Sequence, residues 1–306
     1  MLRFGLLVPT LAESQPWGME HLRAAARYGD AGDFEVLWVG DHLLYRLPIL
    51  DSTVAVSVLG ALTSTVCVGT NVLQLPLRRP IDVAKSFSTL SHLTNGRVIL
   101  GIGVGGEFEA EWRAAGVAMK GRGSRCDEAL DALRWHWAGI EKQGKHFYSP
   151  AVEVAPPPVG GTVPIWVGGR SHAAVERAAR CDGSLNMFVS AQRYVDIREQ
   201  ILELRGGDVG RFRFGLEIMT RIGSSRDEAR SALQGALRRM NLDADALERY
   251  NAFGTPQDVA ETVIAYARAG VDHISFYMPG PGWADQVDQL VGGVLPLVRE
   301  ATREAA

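Results

Sequence analysis

The regular alternation of short apolar segments with longer amphipathic segments limits the folds open to this chain. The short segments are hydrophobic throughout, which is typical of parallel strands buried on both faces. We predict strands at residues 4–8, 36–39, 66–73, 98–102, 165–167, 183–188, 212–220 and 273–276. We predict helices at residues 18–31, 52–62, 81–94, 124–138, 172–180, 192–204, 225–240, 256–269 and 284–303. Eight strand–helix units in sequence predict a closed (β/α)8 TIM barrel, and an open doubly wound sheet is the alternative.

The length of the chain suits a single domain. Its 306 residues are 46% hydrophobic, which is ample for one large core, and α/β barrels of this size often remain undivided. We therefore predict one barrel domain over residues 1–306. Residues 105–123 and 141–162 are longer than ordinary connections, so we predict insertions at the barrel rim. Residues 105–123 follow a strand, which makes them the better candidate for a lid over the site.

Charge and cysteine content exclude several classes of function. The formal net charge of −3 argues against a nucleic-acid partner, and no apolar stretch approaches the roughly 20 residues of a membrane span. Cys67, Cys126 and Cys181 lie far apart, which fits neither a disulfide framework nor a zinc site. The first residues resemble a strand rather than a signal peptide. We expect a cytoplasmic protein.

A glycine turn after the fifth predicted strand is the strongest binding signal. Gly168 and Gly169 let the backbone approach a ligand closely, and Arg170 adds a positive charge. The N–H groups of the following helix favour an anion at the same place. The turn is thus a candidate phosphate site, and the alternative is an ordinary strand–helix turn with Ser171 as N-cap.

Polar residues also follow the second and third predicted strands, at the end where a barrel enzyme has its active site. Asp41 and His42 are adjacent, and an imidazole beside a carboxylate is a common proton-handling pair. The alternative is a capping aspartate and a buried, satisfied histidine. Asn71, Val72 and Gln74 follow the third strand and are expected near the mouth of the barrel.

The segment after the fourth predicted strand is rich in glycine and acid. Its glycines, among them Gly105, resemble a dinucleotide fingerprint, but no clean helix follows, so we reject that motif. Glycines here would instead let a flat ligand lie against the backbone. Glu107 and Glu109 are candidate acids, although surface carboxylates are commoner. Upstream, Arg78 and Arg79 are expected to be solvated surface charges.

No zinc signature, P-loop, nucleophile elbow or metal-binding cluster stands out, so we predict no metal and chemistry supplied by an organic cofactor. The combined motifs resemble the luciferase-like monooxygenase superfamily of flavin- and deazaflavin-dependent barrels. The resemblance rests on residues 37–43, 68–80, 90–105, 165–169 and 253–272, which together run through nearly the whole chain in the family's order.

The resemblance implies a cofactor that lies across the barrel mouth. Its phosphate would lie at Gly168, Gly169 and Arg170, and its ring system near the residues that follow strands two to four: Asp41, His42, Asn71, Val72, Gln74 and Gly105. In the deazaflavin branch a non-prolyl cis peptide backs the ring, and by position it would join Asn71 to Val72.

The resemblance implies an oxidoreductase that uses coenzyme F420 to move a hydride to or from a small organic substrate. In this hypothesis His42, beside Asp41, orients or protonates the substrate, Glu107 or Glu109 is a secondary acid, and Val72 is a steric backstop. The alternatives are an FMN-dependent monooxygenase and a non-catalytic flavin-binding barrel. Barrels of this family often pair through outer helices, which allows a homodimer and leaves the oligomeric state open.

Overall fold

The structure is a computed structural model, and residues 2–11 and 18–303 are described here. The strands are β1 (Arg3–Leu7), β2 (Val36–Val39), β3 (Cys67–Thr70), β4 (Leu73–Gln74), β5 (Val98–Gly103), β6 (Lys142–Gln143), β7 (Tyr148–Ser149), β8 (Ile165–Gly168), β9 (Gly183–Met187), β10 (Arg213–Ile222), β11 (Ala252–Gly254) and β12 (His273–Tyr277). The helices are α1 (Met19–Asp30), α2 (Ser52–Leu62), α3 (Pro80–Leu93), α4 (Glu109–Ala114), α5 (Arg122–Ala138), α6 (His172–Ala179), α7 (Ala191–Leu204), α8 (Arg226–Arg239), α9 (Ala244–Leu247), α10 (Pro256–Arg268), α11 (Trp283–Gln289) and α12 (Leu295–Arg303).

Eight parallel strands close into a barrel. Their order is β1, β2, β3, β5, β8, β9, β10 and β12, and β12 pairs back with β1. Adjacent pairs such as β9 and β10 are parallel along their whole register. The closed ring confirms the predicted (β/α)8 barrel and excludes the open doubly wound sheet.

Side chains alternate between the inside of the barrel and the surrounding helices, as strand geometry requires. On β2, Val36 and Trp38 belong to the cluster inside the barrel, whereas Leu37 and Val39 belong to the large cluster between strands and helices. Both sets are buried, which explains why the strand is hydrophobic throughout.

The amino-terminal end of the barrel is filled. The buried His273, at the start of β12, accepts a hydrogen bond at Nε2 from Trp38 Nε1–H over 3.1 Å, and its Nδ1 lies 3.2 Å from a Glu35 carboxylate oxygen. The ring of Trp166 stacks edge-on against His273 with centroids 5.0 Å apart. These packed rings leave the opposite end, where the strands finish, as the place for a cavity.

Two predicted elements are interrupted in the structure, and both predicted insertions contain secondary structure of their own. The strand predicted at residues 66–73 is broken, because β3 ends at Thr70 and β4 begins at Leu73. The predicted insertion at residues 105–123 contains the short helix α4, and the one at residues 141–162 contains the hairpin of β6 and β7. The predicted last helix is divided by a π-helical stretch at Leu290–Val294. Within the described residues, no helix has the length and apolarity that crossing a membrane requires.

Candidate functional site

A cavity of about 510 Å³ opens at the carboxyl ends of the barrel strands. This volume lies within the ~300–1,000 Å³ range of small-molecule sites. Residues that follow β1, β2, β5, β8, β9 and β12 line it, together with residues of β10 and of the β3–β4 break. Ten of the site residues predicted from the sequence lie in this lining: Asp41, His42, Asn71, Val72, Gln74, Gly105, Glu107, Gly168, Gly169 and Arg170. Glu109 is exposed at the start of α4 and is not among them.

His42 is held by a carboxylate that the sequence did not single out. Its Nδ1 lies 3.3 Å from both carboxylate oxygens of Glu111, and the side-chain amide of Gln74 lies 3.0 Å from the same nitrogen. A carboxylate only accepts hydrogen bonds, so the two Glu111 contacts favour the tautomer with the proton on Nδ1; Gln74 Nε2, itself a donor, makes no hydrogen bond to that form. The other ring nitrogen, Nε2, is then free to accept a proton in the cavity that His42 lines.

Glu111 is completely buried on α4. Burial alone would raise the pKa of its carboxyl, but the hydrogen bond and charge of His42 outweigh that effect, and the pKa is lowered. The backbone N–H of Leu43 also donates to Glu111 over 3.2 Å. Glu111 therefore stays ionised and fixes the imidazole, in the way that carboxylates orient histidine in many active sites.

Asp41 has other partners than its neighbour His42. Its buried carboxylate accepts hydrogen bonds from Ser52 Oγ at 2.7 Å, from the Gln74 backbone N–H at 2.9 Å and from Arg78 at 2.6 Å. The prediction of Arg78 as a solvated surface charge is wrong, because this ion pair keeps the side chain 17% exposed. Asp41 thus ties the end of β2 to α2 and β4.

Glu107 lies at the mouth of the cavity. Its side chain is 73% exposed, and one carboxylate oxygen is 3.8 Å from His42 Nε2. Solvent weakens such a contact. The structure therefore brings Glu107 and His42 together at the rim, while Glu111 holds the imidazole from behind.

The break between β3 and β4 carries Val72 into the cavity. The Asn71–Val72 peptide bond is cis, which confirms the geometry that the family resemblance implied. A Cβ at Gly103 would lie 2.5 Å from a Val72 methyl, and a Cβ at Gly168 would lie 2.9 Å from the other. These glycines of β5 and β8 therefore make room for the valine side chain, so the place of Gly168 is explained in part by packing.

The turn after β8 has both the helix N-cap and the exposed glycine–arginine pair that the sequence analysis considered. Ser171 caps α6 by accepting from the Ala174 N–H, and Gly169 has φ of 120°, a conformation that L residues rarely adopt. Arg170 is exposed and donates to the Phe188 carbonyl oxygen over 2.5 Å. The capped helix start and the arginine thus lie together beside the cavity.

Glu217 is a cavity residue that the sequence analysis missed. It lies on β10, is only 7% exposed, and accepts a hydrogen bond from the Asn71 side-chain amide. Burial, with a smaller effect from the charge of Glu107, raises the pKa of the Glu217 carboxyl to about 8. One acid in the otherwise apolar run 214–219 was the available signal.

The side of the cavity beyond Glu217 is apolar. Met187 on β9, Met219 on β10 and Met278 after β12 line it, with Met240 and Leu242 after α8. Among the residues that the structure describes, no three or more His, Cys, Asp or Glu side chains are grouped to hold a metal ion. The site therefore combines one polar side with one flexible, hydrophobic side.

Comparison with known proteins agrees with this architecture. The chain is 26% identical to the FMNH(2)-dependent dimethylsulfone monooxygenase of Pseudomonas fluorescens, with 98% of this chain and 93% of that protein covered. It is 25% identical to the F420-dependent glucose-6-phosphate dehydrogenase of Nocardia farcinica, with 72% and 75% covered. The chain spans about half the length, 47%, of uncharacterised mycobacterial relatives that it matches at 36% identity.

A solved structure shows the same fold. An F420-dependent secondary alcohol dehydrogenase, in complex with an F420-acetone adduct, aligns with a TM-score of 0.84 at 19% identity, with 98% of this chain and 100% of that chain covered. The sequence model of the luciferase-like monooxygenase family matches residues 2–273. With F420-dependent and FMN-dependent proteins among its relatives, the chain belongs to the luciferase-like monooxygenase family.

Proposed function

We propose that this protein is an F420-dependent oxidoreductase that transfers a hydride between the deazaflavin and a small organic substrate. The observation that carries the proposal is the imidazole of His42, held through Nδ1 by the buried Glu111, with Nε2 in the cavity. Oxidation of an alcohol, or reduction of a carbonyl, moves one proton with each hydride. A positioned imidazole suits that transfer near neutral pH.

The lining of the cavity fits a flat, phosphorylated cofactor. No atom lies within 4 Å of the place where a Cβ at Gly40 would be, so the backbone there borders open space. Val72, backed by Gly103 and Gly168, would support one face of the ring. The α6 amino terminus, Gly169 and Arg170 would hold the phosphate, with Asn71, Gln74 and Gly105 around the ring.

When bound, F420 would supply a carbon centre that gives or takes a hydride. The chain's own residues would manage the proton. His42 Nε2 would take the hydroxyl proton of an alcohol, or return a proton to a carbonyl oxygen, while Glu111 stabilises the imidazolium that forms. Glu107 at the rim would be a secondary acid, and Asp41 would keep the β2 end in place through Arg78 and Ser52.

A binding titration with two cofactors tests the proposal. We expect purified protein to bind F420 tightly, as followed by deazaflavin fluorescence, and to bind FMN weakly. FMN binding without F420 binding would overturn the proposal in favour of the monooxygenase. Binding of either cofactor without turnover, over a broad panel of alcohols and ketones, would favour the non-catalytic barrel.

The FMN-dependent monooxygenase is the second candidate. It is favoured by the near-complete alignment with the Pseudomonas fluorescens monooxygenase, which covers 98% of this chain. The same imidazole and the same phosphate turn would serve reduced flavin. Oxygen consumption with reduced FMN, measured against F420H2, separates the two functions because a deazaflavin does not readily activate oxygen.

The role of His42 has its own test. His42→Ala is expected to slow turnover by about 10²–10⁴-fold with cofactor affinity little changed. His146→Ala is the matched control, because that histidine is exposed and outside the cavity lining. Equal activity of the two variants would assign His42 a structural role.

A further inference from the structure

Glu217 joins opposite sides of the barrel. It lies on the seventh of the eight barrel strands, and its partner Asn71 follows the third, so the two side chains meet across the end of the barrel. Beneath them lies the packed interior that contains Trp38, Trp166 and Leu185. The Asn71–Glu217 pair thus forms the polar part of the cavity floor.

No cation balances this carboxyl within the described part of the chain. Seven other titratable groups line the cavity: His21, Asp41, His42, Tyr45, Glu107, Arg170 and Tyr277. No Lys, Arg or His of the described residues forms an ion pair with Glu217, and Glu107 is the group whose charge acts on it, with the same sign. Burying an unpaired carboxylate is costly, so the neutral acid is the favoured form.

A neutral carboxylic acid has one O–H to donate. In Glu217, Oε2 accepts from the Asn71 amide, which leaves the acid proton for an acceptor in the cavity. Packing does not require a carboxyl here, because an apolar residue of similar size would avoid the burial of a polar group. A buried acid without a cation, at the surface of a cavity, is a candidate for a ligand contact.

We propose that Glu217 is a ligand-binding residue, which as a neutral acid donates a hydrogen bond to a carbonyl oxygen of the molecule in the cavity. That carbonyl belongs either to the ring of the cofactor or to the substrate. The inference rests on one part of the proposed function, namely that the cavity binds an organic molecule with a carbonyl group.

Affinity measured against pH tests the contact. F420 and 2-nonanone are titrated separately into the wild type, Glu217→Gln and Glu217→Leu between pH 6 and pH 9.5. For the ligand that Glu217 contacts, wild-type affinity falls about tenfold above pH 8, this fall is absent in Glu217→Gln, and Glu217→Leu binds about tenfold more weakly than the wild type at pH 6. Glu199→Gln, on the exposed face of α7, is the matched control.

The two ligands distinguish the source of the carbonyl. A response with F420 assigns the contact to the cofactor ring, and a response with 2-nonanone assigns it to the substrate. If thermal melts show folded variants and neither ligand responds to pH or substitution, the proposal is overturned. A wild type that binds 2-nonanone but neither F420 nor FMN contradicts the proposed function alone.

A second inference comes from the apolar side of the cavity. Four of the seven methionines of the chain line the cavity; Met187, Met219 and Met240 pack with Leu242 in one hydrophobic cluster, and Met278 belongs to the large core cluster. Methionine side chains adapt to ligands of different shape. Among the lining residues that the structure describes, Arg170 is the one Lys or Arg, and it lies at the proposed phosphate turn.

We infer that the substrate is a neutral, apolar alcohol or carbonyl compound rather than a carboxylate or a phosphate ester; this rests on the proposed function. An anion on the methionine side would find no arginine or lysine in the lining itself. Arg221 and Arg239 lie within 4 Å of the place of a Cβ at Gly280 but outside the lining, and Arg221 donates to the Pro281 carbonyl oxygen. Glu107 and Glu217 lie in the same cavity. Desolvating an unpaired anion is unfavourable. Apolar carbon chains would instead bury surface against the thioethers.

A pair of ligands that differ in charge tests this inference. 2-Nonanone and nonanoate are titrated calorimetrically into cofactor-free protein and into protein loaded with whichever cofactor binds. We expect the ketone to bind at least about tenfold more tightly. Equal binding, or tighter binding of nonanoate, overturns the inference whatever the cofactor result.

A designed cation sharpens the same test. Leu242→Arg places a guanidinium on the methionine side and is expected to reverse the preference toward nonanoate. Leu204→Arg is the matched control, because Leu204 is an exposed leucine on α7, outside the cavity lining. If Leu242→Arg keeps the wild-type preference for 2-nonanone, the carbon chain of the ligand does not lie against the methionine side of the cavity.

Discussion

The two sides of the cavity satisfy their buried carboxyls in opposite ways. On the β2–β5 side, Asp41 is paired with Arg78, and Glu111 contacts His42 and the Leu43 N–H. On the β10–β12 side, Glu217 contacts the neutral amide of Asn71, among methionines. The first side is therefore a self-contained ionic network, whereas the second holds an acid whose proton is available to a ligand.

The largest expected effect is the loss of Asp41. Asp41→Ala removes the nearer partner of the largely buried Arg78, whose other contact, to Asp51, is 3.6 Å long. It also removes the acceptor of the Ser52 and Gln74 hydrogen bonds, so we expect a loss of about 3–5 kcal/mol in the free energy of unfolding. Urea denaturation measures it. Arg79→Ala is the control, because the exposed Arg79–Asp82 pair is worth at most about 1 kcal/mol. A small loss in Asp41→Ala would remove the contrast between the two sides.

The next effect concerns the pH dependence at Glu217. The unfolded chain loses this proton near the ordinary pKa of 4.5, whereas the folded chain keeps it to about 8. Wild-type stability therefore falls as pH rises through that window. Glu217→Gln is expected to be more stable than the wild type by roughly 2–4 kcal/mol at pH 8.5, and by much less at pH 4.5. Thermal melts at the two pH values measure the difference, and a constant offset would contradict it.

The contribution of Glu111 to stability is expected to depend on pH in the opposite sense to that of Glu217. Its pKa is lowered in the folded state, so its contribution is present above pH 4.5 and is lost as pH falls through the folded pKa. Glu111→Gln should cost about 1.5–3 kcal/mol at pH 7 and less under acid. If Glu111→Gln changed the free energy of unfolding at pH 7 in the same direction as Glu217→Gln, the two sides of the cavity would not differ electrostatically.

The smallest effect separates stability from binding. Gly40 has no atom within 4 Å of a built Cβ and lines the cavity on the polar side. Gly40→Ala should change the free energy of unfolding by no more than about 0.5 kcal/mol, while its methyl group lowers F420 affinity a few-fold. Gly105→Ala is the contrasting variant, because φ is 62° there and the Cβ would lie 1.9 Å from Gln74. Unchanged affinity in Gly40→Ala would place the ring elsewhere.

Periodicity predicted the barrel because its signal is repeated in every unit. The helix at residues 52–62 and the strand at residues 36–39 match the prediction at both ends, since burial on a defined face dictates their pattern. Periodicity predicted the third strand as continuous, whereas the family resemblance implied the cis peptide at Asn71–Val72. The glycines of β5 and β8 that make room for Val72 leave no mark in the local pattern of that strand.

The sequence predicted where the site residues lie better than it predicted which residues they contact. The sequence placed Asp41 and His42 at one strand end, and both line the cavity. It did not predict Glu111, because α4 has only six residues and its N-cap, Phe108, makes no side-chain capping bond. A helix that short shows no periodicity from which to choose among Glu107, Glu109 and Glu111. Glu217 was not singled out, because the rest of its strand has the hydrophobic pattern of a strand that is buried on both faces.

The position of Val72 between two glycines has a consequence for redesign. Because Gly103 and Gly168 leave space that only this side chain fills, the depth of the cavity at this point depends on a single residue. Truncation to alanine would deepen the cavity without disturbing β5 or β8, whereas an alanine at either glycine would require a smaller residue at 72. A directed library should therefore vary residues 72, 103 and 168 together, as one compensating unit.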